Sequence, residues 1–329
     1  MNDLAQSARA VLMIRPHGFH PNPETAADNA FQQTIAPNEG DAVARAAEAE
    51  FDRAVETLRA ADVTVHVLDD TPAPAKPDAV FPNNWFSTHH DGRVVFYPMH
   101  SPARRRERRP EVIEELRKHY QVTEVIDYSS GEKENQFLEG TGSLVLDYIN
   151  RVAYASLSQR THPALVDRFC ADFGFTAVKF RSATADGRAV YHTNVVMCIG
   201  THFALIGLPL IPDPTEREEV RAALAASGRE VIELSAEQIA EYAGNALELD
   251  NGREKLLVLS ARALRSLGES QHAALRRHAR LVPLELPTIE LAGGSARCML
   301  AAIHLPGRDG RGPFAIDLPP ASSRTFRAL

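Results

Sequence analysis

Near the C-terminus, Gly293-Gly294-Ser295-Ala296-Arg297-Cys298 sets a thiol directly behind a glycine-rich bend and an arginine. Paired glycines permit backbone turns closed to other residues and let a second group approach closely. An arginine beside a thiol favours the thiolate, so sulfur ionisation is expected below about pH 8.5. The apolar run Met299-Leu300-Ala301-Ala302-Ile303 follows, which puts Cys298 at the mouth of a buried element. A thiolate nucleophile needs a general acid/base and a group that orients that base. Among thirteen histidines, His192 stands out in Tyr191-His192-Thr193-Asn194, just ahead of the apolar Val195-Val196-Met197-Cys198-Ile199. Alone, it reads either as a structural histidine or as the base. Glu139, a lone acid among glycines and hydroxyls in Phe137-Leu138-Glu139-Gly140-Thr141-Gly142-Ser143, reads either as a loop residue or as the orienting carboxylate, because burying an unpaired acid is costly. Asp78-Ala79-Val80-Phe81-Pro82-Asn83-Asn84-Trp85-Phe86-Ser87 holds the single tryptophan beside two asparagines. It suits a turn, or amides held in an apolar pocket to recognise a neutral polar ligand. Cys170 and Cys198 read as core packing.

The elements that must position these groups alternate along the chain. Hydrophobic periodicity predicts strands over 11–14, 63–68, 93–96, 122–126, 143–147, 151–156, 177–180, 195–199, 203–206, 230–234, 246–250, 255–260, 280–284 and 299–303. Helices are expected over 41–61, 110–119, 162–173, 215–227, 236–243, 261–268 and 269–278. Adjacent strands such as 143–147 and 151–156, joined by Tyr148-Ile149-Asn150, read as hairpins. Hairpins within an α/β rhythm favour a ring of about five small mixed sheets over one doubly wound sheet. No linker composition divides the 329 residues, which are read as one catalytic domain, with a core of about 11–305 and a tail of 306–329.

Composition narrows the function. At 44% hydrophobic and 24% charged the chain is globular, and no apolar run is long enough to cross a membrane. The first residues lack the basic start and apolar core of a secretory signal. Three widely spaced cysteines fit a reducing compartment, hence a cytoplasmic location. A net charge of −7 gives no reason to expect nucleic acid. The basic run Arg104-Arg105-Arg106-Glu107-Arg108-Arg109 lacks interleaved aromatics and reads as a solvated loop and helix start. His89-His90 with scattered acids has no ligand spacing, so no metal is expected.

The Gly-Gly-x-x-Arg-Cys segment, the Leu-Glu-Gly segment, the histidine ahead of a strand and the Asp78–Trp85 region occur in an order that resembles the amidinotransferase/guanidino-modifying superfamily. Within it, Val11 to Pro16, Phe81 to Trp85, Phe137 to Ser143 and Tyr191 to Asn194 are most similar to the citrulline-utilisation hydrolases. The resemblance implies a pentein-type α/β propeller of five strand–strand–helix–strand modules around a central site. It implies Cys298 as nucleophile, His192 as general acid/base and Glu139 as its orienting carboxylate. It further implies substrate contacts from Asp78, Arg160, Arg297 and Arg104, with Arg105 and Arg106 as rivals for the last, and requires no cofactor. The expected ligand is a small ureido or guanidino amino acid, and a homodimer is compatible.

Relatives acting on guanidinium compounds carry an acid where Asn84 stands, and arginine deiminases another where Asn194 stands. A guanidinium is a planar cation with only donors, suited to carboxylates. Two amides suit instead the C=O and NH2 of a neutral ureido group. The expected reaction is hydrolysis of the ureido C–N bond of citrulline to ornithine, CO2 and ammonia through a carbamoyl-cysteine. Arginine deiminase, succinylarginine dihydrolase and amidinotransferase are the alternatives on this fold, and a non-catalytic binding protein is the remote one.

Overall fold

The computed structural model describes residues 4–36 and 38–308. Most of the expected tail, residues 309–329, therefore lies outside the described residues. Five three-stranded sheets are arranged as a propeller-like set of blades. Each has an inner strand antiparallel to a middle strand, and that middle strand runs parallel to an outer one. The parallel step needs a crossover, and a helix supplies it each time, as Gly40–Ala60 does in the first blade and Glu111–His119 in the second.

The first blade joins Ala10–Arg15 and Thr64–Asp69 to Ala301–Ile303, so the last strand of the described residues docks beside the first. The second uses Phe86–Thr88, Arg93–Phe96 and Glu124–Asp127, and the third Val145–Asp147, Val152–Ser156 and Thr176–Phe180. The fourth uses Met197–Ile199, Phe203–Ile206 and Glu230–Glu233, and the fifth Leu247–Asp250, Lys255–Ser260 and Arg280–Leu284. Helices pack their apolar stripe on the outside of the blades. Phe51 and Leu58, for example, sit against Val11, Met13 and Val65.

Three inner strands are shorter than the sequence suggested. Apolar runs read as strands over 143–147, 195–199 and 299–303 begin instead with a helical turn, at Gly140–Ser143, Thr193–Val196 and Ala296–Met299. Burial on every side makes such runs apolar in either conformation, so periodicity could not separate them. The inner strand Phe86–Thr88 was hidden in the stretch read as a polar turn. Each of these turns lies directly ahead of an inner strand, and there the polar residues gather.

Candidate active site

Cys298 lies on the turn Ala296–Met299 and is buried. Together with His192, Asn84, Arg104, Arg160 and Asp78 it lines a narrow cavity of about 20 Å³. Glycines permit this convergence. A Cβ at Gly142 would lie 2.4 Å from Asn84 Nδ2 and 2.7 Å from His192 Nδ1, and one at Gly140 would lie 2.4 Å from Asn83 O. Gly140 also takes φ +49°, left-handed backbone that glycine adopts without steric cost.

His192 Nε2 is 2.8 Å from Glu139 Oε2. An ionised carboxylate only accepts, so Nε2 carries the hydrogen and the neutral ring presents Nδ1 as an acceptor. That Nδ1 has no partner among the described residues. Glu139 is fully buried, which alone would raise its pKa, but Arg160, the His192 bond and Arg104 hold it well below the usual carboxylate range. Its Oε1 accepts from the backbone N–H of His100 at 2.9 Å. Burial pushes His192 below the ordinary imidazole value, and Glu139 opposes that shift.

The sulfur is surrounded by amides. Asn194 Nδ2 and Asn245 Nδ2 each stand 3.4 Å from Cys298 Sγ, an arrangement that solvates an anionic sulfur. Asn245 Oδ1 accepts from Arg297 N at 3.0 Å and its Nδ2 also donates to Asn194 O, which fixes the amide's orientation. Asn84 is fixed similarly, because Arg104 Nη1 donates to its Oδ1 at 2.8 Å and a guanidinium only donates. The remaining Asn84 Nδ2 donor and Asn194 Oδ1 acceptor are buried and unpartnered among the described residues.

A second set of groups around the cavity is charged. Arg104 donates through Nε and Nη2 to both oxygens of Glu107 at 3.0 and 2.9 Å and lies 3.7 Å from Asp78. Burial, with Asp78 and Glu139 nearby, pushes Glu107 up to about 7 although Arg104 opposes it. Arg160 forms a two-point pair with Asp28 at 2.7 and 2.6 Å and lies across the Tyr191 ring. Asp78 accepts from Asn22 Nδ2 at 2.8 Å.

Eight of the nine site residues expected from the sequence therefore meet: Cys298, His192, Asn84, Asp78, Arg104 and Arg160 at the cavity, Asn194 on the sulfur, and Glu139 behind His192. Arg297 does not. Its side chain lines a second cavity with Tyr148 and Glu248, and its Nη1 donates to Leu300 O. Successive residues on a helical turn point about 100° apart, so with Cys298 facing the first cavity Arg297 faces elsewhere. Of the rival arginines, Arg105 donates to Met99 O and His100 O, and Arg106 is exposed. His89 is buried and bonds Ser87 Oγ, and His90 bonds Ala5 O.

Sequence reasoning missed Asn245, Glu107 and the wall formed by residues 22–29. Asn245 occupies in the fifth blade the place that Asn84 and Asn194 hold in theirs, just ahead of the inner strand, and Gly244-Asn245 was the available signal. A connection of 24 residues between Arg15 and Gly40 was a second signal, since long loops in compact folds are commonly functional. Glu24 pins this wall by accepting from Ser101 Oγ and Ala103 N at 2.6 and 2.9 Å, on the turn that carries Arg104.

The chain matches the family described as N,N dimethylarginine dimethylhydrolase, eukaryotic, over residues 15–305. No curated protein matches its sequence. Among solved structures it resembles the N-terminal domain of ArgZ, an arginine dihydrolase from the ornithine-ammonia cycle in cyanobacteria. The TM-score is 0.71 at 15% identity, covering 89% of this chain and 97% of that domain. Unliganded AgrE superposes with TM-score 0.71 at 16% identity, over 92% of this chain and 40% of AgrE. The Pseudomonas aeruginosa dimethylarginine dimethylhydrolase, complexed with citrulline, gives 0.62 at 14% identity, over 90% and 100%. These likenesses establish the pentein fold.

Proposed function

The chain belongs to the N,N dimethylarginine dimethylhydrolase family, and from that premise we propose that it is a cysteine hydrolase cleaving the ureido C–N bond of citrulline. One observation carries the reading. Arg104 takes the oxygen of Asn84, so the amide offers the cavity a donor. A ureido oxygen accepts from that donor, whereas a guanidinium has only donors to set against it. Asn194 Oδ1, the free acceptor by the sulfur, complements the ureido NH2. The carboxylates of Glu139 and Glu107 are engaged by His192 and Arg104, and Asp78, which lines the cavity, accepts from Asn22 and lies 3.7 Å from Arg104. The charged groups suit an α-amino acid, with the carboxylate on Arg160 and the ammonium against Asp28. The citrulline complex of the Pseudomonas enzyme and the covalent intermediate of the ArgZ domain support a ligand and a route of this shape.

Cys298 Sγ attacks the ureido carbon, and the oxygen gathers negative charge against Asn84 Nδ2. The Cys298 S–H proton passes to His192 Nδ1 as the sulfur attacks, and the resulting imidazolium delivers it to the leaving nitrogen, which departs as the side-chain amine of ornithine. A carbamoyl group remains on sulfur. His192 then takes a proton from water, which cleaves the thioester, and the carbamate falls apart into CO2 and ammonia. Glu139 steadies the imidazolium through both steps. The test is product identification after incubation with citrulline, arginine and N,N-dimethylarginine. Ornithine and ammonia in equal amounts from citrulline are expected. Release of dimethylamine, or citrulline accumulating from arginine as the dominant reaction, would refute the proposal.

A further inference from the structure

A second cluster of chemistry-bearing side chains lies on the rim of the molecule, outside the cavity of Cys298. His66 stands on the first-blade strand Thr64–Asp69. Glu115 and His119, four residues apart, stand on the last turns of the second-blade helix Glu111–His119. That spacing puts both on one helix face. One ligand-type atom from each of the three lies within 4.8 Å of the others. The His66 and His119 rings have centroids 4.8 Å apart, and His119 Nε2 is 3.5 Å from Glu115 Oε1. The Tyr120 hydroxyl lies 2.9 Å from His66 Nε2 and holds that ring in place, as an outer hydrogen bond commonly does for a metal-binding imidazole.

The donor set is two imidazoles and one carboxylate, the combination that suits zinc and its neighbours rather than calcium or magnesium. Lys118 engages the other oxygen, Glu115 Oε2, at 2.6 Å, which leaves Oε1 facing His119.

We propose that His66, Glu115 and His119 form a binding site for a divalent transition-metal ion, Zn2+ foremost, that clips the first blade to the second. Zinc bonds of about 2.0–2.1 Å place tetrahedral ligand atoms roughly 3.3 Å apart, so the cluster must draw in by about 1.5 Å. Glu115 and His119 have side chains 22% and 46% exposed, free enough to rotate inward, and water completes the coordination. Lys118, and Arg59 close enough to act on His66, are cations that weaken the site. The clip sits where Tyr120 also pairs with Gly307, beside the blade that holds both ends of the described chain.

The experiment is calorimetric titration with Zn2+ in the Cys298→Ser background, which removes the thiol that would compete for the ion, together with thermal unfolding with and without the ion. One ion per chain and a rise of a few degrees in Tm are expected, since a ligand that binds only the folded state stabilises it. His119→Ala removes an exposed side chain and leaves the fold unchanged by circular dichroism. It should weaken binding by more than about tenfold and abolish the rise in Tm. Glu115→Gln should do the same to a smaller degree. Absence of zinc binding up to about 0.1 mM, or equal binding in His119→Ala, would overturn the proposal.

Discussion

Two sets of polar groups around the cavity are built from different chemistry. One is the uncharged amides of Asn84, Asn194 and Asn245, of which Asn84 is oriented by Arg104 and Asn245 by backbone, while Asn194 and Asn245 face the sulfur. The other is Arg104 with Glu107 and Asp78, and Arg160 with Asp28, all charged. A site built to hold a cation at its reacting carbon would place a free carboxylate there, because an uncompensated buried charge is costly. Under the proposed function the charged groups hold an amino-acid backbone, and the reacting group meets one free donor, Asn84 Nδ2, and one free acceptor, Asn194 Oδ1. The contrast separates recognition of what the substrate is from recognition of where it reacts.

Four substitutions break or sharpen that contrast, in descending order of effect. Cys298→Ala should lower turnover at least about 10³-fold, with a melting temperature within a few degrees of the parent because the change is small and non-polar. Near-normal turnover would remove Cys298 from the chemistry. Glu139→Gln should reduce kcat by about 10²–10³-fold. Glu139 is what holds the buried imidazole up against desolvation, so its loss lowers His192 further. The protonated ring then exists only at lower pH, and any limb of the pH–rate profile that reports it moves to the acid side. A limb that moves toward higher pH would contradict this sign.

Asn84→Asp swaps the free donor for an acceptor while keeping a partner for Arg104, so folding should survive. The expected loss in kcat/KM for citrulline is about 10²-fold, the scale of removing one donor from a developing oxyanion, with arginine gaining relative to citrulline. Asp28→Asn should have the smallest effect, a KM raised about tenfold at nearly constant kcat, as for a contact equally strong in ground and transition states. A lowered KM would mean that Asp28 only competes for Arg160.

How much of this was legible in the sequence follows from where each residue sits. Cys298, His192 and Glu139 each stand ahead of an apolar run, and placing a polar group at the mouth of a buried strand is visible as a break in hydrophobic pattern. Asn245 stands at the same place in its blade, but Gly244-Asn245 also reads as an ordinary turn. Asp28 lies in a long connection whose contact with Arg160 spans 132 residues, and no local pattern encodes such a contact. Arg297 shows the reverse failure, since adjacency to Cys298 in the chain says nothing about direction once the segment is a helical turn. The five-sheet ring was expected from the hairpins within an α/β rhythm. The helical turns that start three of its inner strands were not, because full burial erases the difference between periods of two and 3.6.

The central claim, that the amides select a neutral ureido group, is tested most directly by kcat/KM for citrulline and for arginine on the same preparation. A ratio favouring citrulline by about 10²-fold or more is expected, the discrimination that follows when a buried polar group would be left mismatched. A ratio at or below one would contradict it.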